Sequence, residues 1–218
     1  MVIPKIFFQT SKNKPEQYVI DKIVLNCKGW NYLHFDDSEI LQFFNENYIE
    51  EFKNIIDKFN NMPTGAHKAD LFRYYYLYIN GGVFMDSDAM IEMNIEHIIE
   101  DYSFFSVNSV NNNTIFQGFI GATPKNDIIY LALKDAYNID IAKLTEYYHL
   151  LCRNLWYIIH NNTYHYKIKI FNEIFCNINN ITCAVTYNEK NEIILTHYCF
   201  DKKIPKPLLD ANYDTPHS

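Results

Sequence analysis

Apolar residues recur along the chain with two periods, one helical and one of alternation. A short β-rich run at residues 3–9 reads as a first strand. In residues 15–29, Val19, Ile20, Ile23 and Val24 keep helical spacing, with Pro15 able to open the helix and Gly29 to close it. Residues 32–35 read as a second strand. Asp36, Asp37 and Ser38 offer N-caps for a helix to about Asn47. Phe52, Ile55, Ile56 and Phe59 share one face of a further amphipathic stretch over residues 49–59. After the Met62-Pro63-Thr64-Gly65 break, a strong helix spans residues 66–79 with Ala69, Phe72, Tyr75, Tyr76 and Ile79 as its stripe. Gly81-Gly82 ends it, and residues 83–85 form a short strand. Downstream, the pattern predicts a helix at 95–99, strands at 104–107 and 114–122, and helices at 126–137 and 145–160. A hairpin follows, with arms 183–187 and 192–198. Strand and helix alternate in the first half, which predicts an α/β domain with a mixed, mostly parallel central sheet, flanking helices and a helical and hairpin C-terminal part.

Composition narrows the classes. With 218 residues, 48% of them hydrophobic, the chain can bury a substantial core. The net charge of −7 argues against a phosphate-binding nucleic-acid face and against a polybasic membrane patch. Five scattered cysteines with no C-x-x-C pair read as reduced thiols. No signal peptide and no run of about 18 apolar residues is visible, so the expectation is a cytoplasmic protein without a membrane span. The segment from Pro205 onward reads as a loose tail.

The chemistry concentrates in "HKADLFRYYYLYINGGVFMDSDAM", residues 67–90. Asp86 and Asp88 lie two apart at a strand's C-terminal end, where they can converge and where open α/β sheets bind ligands. Paired carboxylates suit a hard divalent cation, Mn²⁺ or Mg²⁺, that also takes phosphate oxygens. A solvated acidic turn fits the spacing equally well. Upstream, Asp70 and Arg73 share a helix face. They form either a surface ion pair or a grip on hydroxyls or phosphate beside the metal.

Three segments together, "IPKIFFQT" (residues 3–10), residues 67–90 and "NTIFQGFIGATPKNDII" (residues 113–129), resemble glycosyltransferases with a DXD sugar-binding motif. These include the initiating α-1,6-mannosyltransferases of yeast and bacterial capsular-polysaccharide transferases. The middle segment is also similar to the glucosyltransferase domain of the large clostridial toxins. The resemblance implies a GT-A-type fold that binds a nucleotide-sugar, with a UDP-sugar favoured, and transfers a hexose to a glycan or other hydroxyl acceptor with retention. It implies that residues 1–125 form the nucleotide-sugar and metal-binding core, and that residues 126–218 complete the same domain on the acceptor side. By the same resemblance Asp70 and Arg73 contact the donor sugar, Asp86 bridges ribose and sugar, and Asp88 ligates the metal. Phe7, Phe8 and Gln9 would line the base pocket. Residues 113–121, Gly118 among them, would line the acceptor side of the donor sugar. His197 is the candidate third metal ligand, although the Trp that relatives place shortly after it is missing from "THYCFDKKI". A half-buried strand histidine is the competing reading for His197. His160, His165 and His217 read as loop or tail histidines. The alternatives to a transferase are a nucleotide-sugar hydrolase or phosphotransferase, and a non-catalytic sugar-binding module.

Overall fold

The computed structural model describes residues 2–178 and 181–199; the tail from Pro205, with His217, lies outside them. β1 (Ile6–Thr10) leads through α1 (Gln17–Asn26) to β2 (Asn31–Phe35), parallel to it. α2 (Asp37–Glu46) opens on a capping box in which Asp36 accepts from the Ser38 and Glu39 amides and Glu39 accepts from the Asp36 amide. The amphipathic stretch at 49–59 is broken, with one 3₁₀ turn at Glu50–Phe52 and then α3 (Ile55–Asn60).

α4 (Gly65–Asn80) is the longest helix among the described residues, and its run from Asp70 to Leu77 is buried. Thr64 caps it by accepting from the His67 amide. Its exit needs two glycines. Gly81 and Gly82 have φ of +66° and +106°, and a Cβ on Gly82 would stand 2.7 Å from the Ile6 carbonyl oxygen. The chain thus turns at once into β3 (Gly82–Met85), parallel to β1.

β4 (Met90–Ile91), α5 (Glu96–Ile99), β5 (Phe104–Asn108), β6 (Ile115–Ala122) and α6 (Asp127–Asn138) follow. The helix expected at 145–160 is two helices, α7 (Ile141–Glu146) and α8 (Leu150–Asn161). Then comes β7 (Ile168–Ile178), an 11-residue strand absent from the sequence expectation, and the expected hairpin of β8 (Ile181–Tyr187) and β9 (Ile193–Cys199).

One nine-stranded sheet holds all of these strands in the order β2-β1-β3-β6-β5-β7-β8-β9-β4. It is mixed, as expected. Parallel pairing is confined to β1–β2, β1–β3 and β5–β7, and the five remaining pairings are antiparallel, so antiparallel contacts outnumber parallel ones. Both faces are covered. Phe8 and Phe84 pack against Phe72 and Tyr76 of α4 on the face that α2, α6 and α8 also cover, while Phe7, Val83, Met85 and Phe119 pack on the opposite face with α1. Burial of side chains this size contributes about 1.5–3 kcal/mol each.

Cys27, Cys152 and Cys176 are free thiols, whereas Cys183 is disulfide-bonded, so the expectation of five reduced thiols is not met. The strand register sets Cys183 opposite Cys199. No described helix is long and apolar enough to cross a membrane.

Candidate functional site

A cleft of about 1130 Å³ opens where β1, β3 and β6 meet the N-terminal end of α4. Asp70, Arg73, Asp86, Asp88 and Gly118 all line it, so the structure brings these expected residues together.

Arg73 is the hub and is 3% exposed. One terminal nitrogen, Nη1, donates to the Gln117 carbonyl at 2.6 Å. The other, Nη2, lies 3.2 Å from Asp70 Oδ1 and 3.4 Å from Asp86 Oδ1. Nε donates to the Ala69 carbonyl, and the guanidinium sits 4.1 Å from the centre of the Phe84 ring. The i, i+3 spacing therefore produces an ion pair, but not a surface one. With its planar fork already committed, Arg73 fixes two carboxylates and a strand carbonyl in one geometry.

Asp70 is nearly buried, and burial pushes its carboxyl above the ordinary range even with Arg73 beside it. Asp86 is half-buried and held from three sides. Its amide donates to the Gly118 carbonyl, its carbonyl accepts from Gln9 Nε2 at 2.9 Å, and Arg73 holds its carboxylate. Gly118 makes room for it, because a Cβ there would stand 2.3 Å from Asp86 Oδ2. Glycine at 118 is thus explained by the approach of the carboxylate.

The two aspartates do not converge through the pleat of a strand, as their spacing suggested. β3 ends at Met85, and Asp86 to Ala89 form a turn closed by the Ala89 amide donating to the Asp86 carbonyl. That turn projects Asp88 into the cleft, where its tip stays open while protein surrounds it. This desolvation, with the charge of Asp86, raises its pKa to about 6. A bound cation relieves both causes. The carboxylates of Asp88 and Asp86 are donors of the kind that a hard divalent ion takes. No group of three His, Cys, Asp or Glu side chains among the described residues is arranged to hold a metal.

His197 occupies a different role from the expected one. It is 1% exposed, its Nε2 is 2.8 Å from Thr186 Oγ1, and its ring stacks on Phe116 at 4.0 Å. Its Nδ1 lies 2.9 Å from Glu173 Oε1, close but off the ideal hydrogen-bond angle. Each ring nitrogen faces a protein oxygen within 2.9 Å, and His197 is not among the residues that line the cleft. Glu173 also accepts from Ser109 Oγ and the Val110 amide. Burial alone would raise its carboxyl, but the contact and charge of His197 and these two donors outweigh that and hold it below its ordinary value.

Phe7 and Phe8 do not reach the cleft. Both are fully buried, pointing to opposite faces of the sheet as strand alternation requires. The cleft wall at this end is formed instead by Thr10, Ser11, Lys12 and Phe35. Gln9 is also buried; besides holding Asp86 it accepts from Tyr32 Oη.

One residue stands out that spacing could not single out. Gln117 lines the cleft and is 3% exposed, yet neither its Oε1 nor its Nε2 has a hydrogen-bond partner. A buried amide left unpaired costs about 1–3 kcal/mol, so a polar ligand or water completes it. Tyr74 Oη, close to the charge of Asp70, is unpaired in the same way.

Residues 13–105 match the family described as "Glycosyltransferase sugar-binding region containing DXD motif". That segment, less than half of the chain, is similar to the DXD glycosyltransferases. It contains Asp70, Arg73, Asp86 and Asp88, the residues that the cleft assembles. Inositol phosphoceramide mannosyltransferase 1 of Schizosaccharomyces pombe is 27% identical over 154 residues, covering 66% of this chain and 46% of that protein. A glycosyltransferase of Acanthamoeba polyphaga mimivirus is 26% identical over 151 residues, covering 63% of this chain and 58% of that protein. The chain spans about half the length of these curated relatives. Among solved structures, the PaToxG glycosyltransferase superposes with a TM-score of 0.48 at 13% identity, covering 71% of this chain and 67% of that one.

Proposed function

We propose that the cleft binds a nucleotide-sugar, a UDP-sugar in first place, together with Mn²⁺ or Mg²⁺, and that the protein transfers the hexose to a hydroxyl acceptor. The observation that supports this best is the Asp70–Arg73–Asp86 lock with Asp88 presented beside it on a separate turn. A solvated acidic turn would need neither a buried arginine nor a glycine cut to admit Asp86.

Each residue then has a task. Asp88, with Asp86, would hold the cation. When bound, the cation neutralises charge on the leaving diphosphate. Asp70, ion-paired to Arg73, accepts from sugar hydroxyls. Gln117 offers an unpaired donor and acceptor to the same sugar. Arg73 and Gln9 hold Asp86 in place. Beyond the end of β1, Ser11, Lys12 and Phe35 take the part first expected of Phe7 and Phe8 and receive the base. Residues 1–125 supply this donor side, and residues 126–218 complete the same domain on the acceptor side.

A retaining reaction is consistent with the carboxylates present. Glu173 lines the cleft, but its oxygens are taken by His197, Ser109 and the Val110 amide, so it is no free nucleophile. A front-face path, in which the leaving phosphate assists the incoming hydroxyl, needs no protein base.

The test is release of nucleoside diphosphate from a panel of UDP- and GDP-sugars with Mn²⁺, with and without hydroxyl acceptors. Release that requires the cation and rises with acceptor is the expected result. Release indifferent to every acceptor would make the protein a nucleotide-sugar hydrolase instead.

A further inference from the structure

The break between α7 and α8 contains no glycine or proline. Its sequence, Tyr147-Tyr148-His149, would sit comfortably inside a helix, and a continuous helix is what the pattern predicts. The break is imposed from outside. His67 Nε2 lies 2.9 Å from the Tyr148 carbonyl oxygen, His67 Nδ1 lies 3.0 Å from Thr64 Oγ1, and the His67 ring packs on Tyr148 at 5.1 Å. A buried histidine at the start of α4 thus straps this turn to the cleft rim.

The strapped turn puts apolar surface where water would otherwise be. Tyr147 and Tyr148 are each 52% exposed, and Tyr148 and His149 line the cleft with their rings 5.0 Å apart and edge-on. Tyr148 stands near the carboxylates: besides burial, the charges of Asp70 and Asp86 raise the pKa of its phenol. The cleft volume, about 1130 Å³, exceeds the usual ~300–1000 Å³ of a site for one small ligand. Its ionisable walls carry six carboxylates against three cations. The charges of a divalent ion and a diphosphate roughly cancel, so the acidic surplus remains when both are bound and disfavours an anionic second ligand.

We infer that Tyr148, fixed by His67, is the acceptor platform, and that the acceptor presents an uncharged sugar ring whose C–H face lies on the Tyr148 ring. This rests on the proposed transferase reading. An aromatic face binds a ring by its apolar side and leaves the hydroxyls free to point at the donor. His67 is a positioning residue that acts through Tyr148.

The experiment measures nucleoside diphosphate release from the nucleotide-sugar that the wild type cleaves, with neutral methyl hexosides and the matching hexose phosphates as acceptor probes. Neutral hexosides should accelerate release in the wild type, and hexose phosphates should do so poorly. Tyr148→Ala should raise the KM for the hexoside about tenfold, far more than it moves the KM for the donor. Tyr148→Phe and Tyr148→Trp should restore it, which a loss of folding would not allow. An unchanged hexoside KM in Tyr148→Ala, an equal rise in both KM values, better use of hexose phosphates, or donor cleavage that no hexoside accelerates would each overturn the inference. A wild type that cleaves no nucleotide-sugar at all would instead remove the transferase reading beneath it.

Discussion

At the scale of single residues, Asp88 and Gly118 trade stability for function in opposite ways. The folded state raises the pKa of Asp88 to about 6, above its ordinary 3.8, so its ionisation opposes folding. For a carboxyl shifted upward, the penalty begins as pH rises through 3.8 and is complete above about 6. Removing the charge should therefore stabilise the cation-free protein. The nominal two-unit shift is about 3 kcal/mol, discounted to about 1 kcal/mol because the tip of Asp88 is exposed. Asp88→Asn should accordingly melt about 2–4 °C higher at pH 7.5 in EDTA while losing nearly all turnover. A lower melting point with intact turnover would mean that Asp88 is structural. Gly118→Ala goes the other way. Its new methyl meets Asp86 Oδ2 and Phe116, so the melting point should fall by several degrees, for an overpacking cost of about 1–3 kcal/mol, and turnover should fall with it. Wild-type turnover from Gly118→Ala would show that Asp86 does not need its present position.

Elements differ in how openly the sequence announces them. α4 and β3 are legible because local signals agree: an apolar stripe, a Pro63-Thr64 start and a Gly81-Gly82 stop. β7 is not, because its polarity is inverted in the middle. Glu173 points inward at 5% exposure and Phe175 outward at 45%, which destroys the alternation that marks a strand. The inversion makes sense only in three dimensions, where His197, Ser109 and the Val110 amide satisfy the buried carboxylate. The same network ties β7 and β9 to the loop before β6, part of which lines the cleft. Glu173 is held below its ordinary 4.5, so its contribution is present above pH 4.5 and is lost as pH falls through the lowered folded value. Glu173→Gln breaks a buried pair at a cost of about 3 kcal/mol, which lowers the melting point at pH 7 by about 6–12 °C. That gap should narrow as both proteins are acidified below pH 4.5. A gap that stays constant from pH 7 to pH 3.5 would show that the carboxylate charge does not matter there.

At the scale of the whole molecule, the clustering of Asp70, Arg73, Asp86 and Asp88 was readable and the sheet around it only partly so. Asp70, Arg73, Asp86 and Asp88 come from one continuous segment, so their spacing carried the information, and the structure adds the buried lock and the turn. Phe7 and Phe8 were expected in the cleft wall because nothing in β1 says which alternate face is core, and here both faces are. The place of β4 was hidden for a different reason. Two residues, Met90 and Ile91, are too few to show a period, yet they pair with Thr196 and Leu195 and pin the C-terminal hairpin behind the Asp88 turn. Glu92, next in line, accepts from Lys22 and from Thr196, which joins α1, the Asp88 segment and β9. The Asp88 side of the cleft is thus braced by elements far apart in the sequence.

If the paired aspartates make this cleft a cation-dependent nucleotide-sugar site, donor binding depends on the cation. Calorimetric titration of the protein with UDP-sugars and GDP-sugars, in Mn²⁺ and again in EDTA, tests it most directly. Saturable binding of at least one donor is expected in Mn²⁺, weakened at least about tenfold by EDTA, a loss of about 1.4 kcal/mol or more. Equal binding in Mn²⁺ and EDTA, or no binding of any nucleotide-sugar in either, would contradict it.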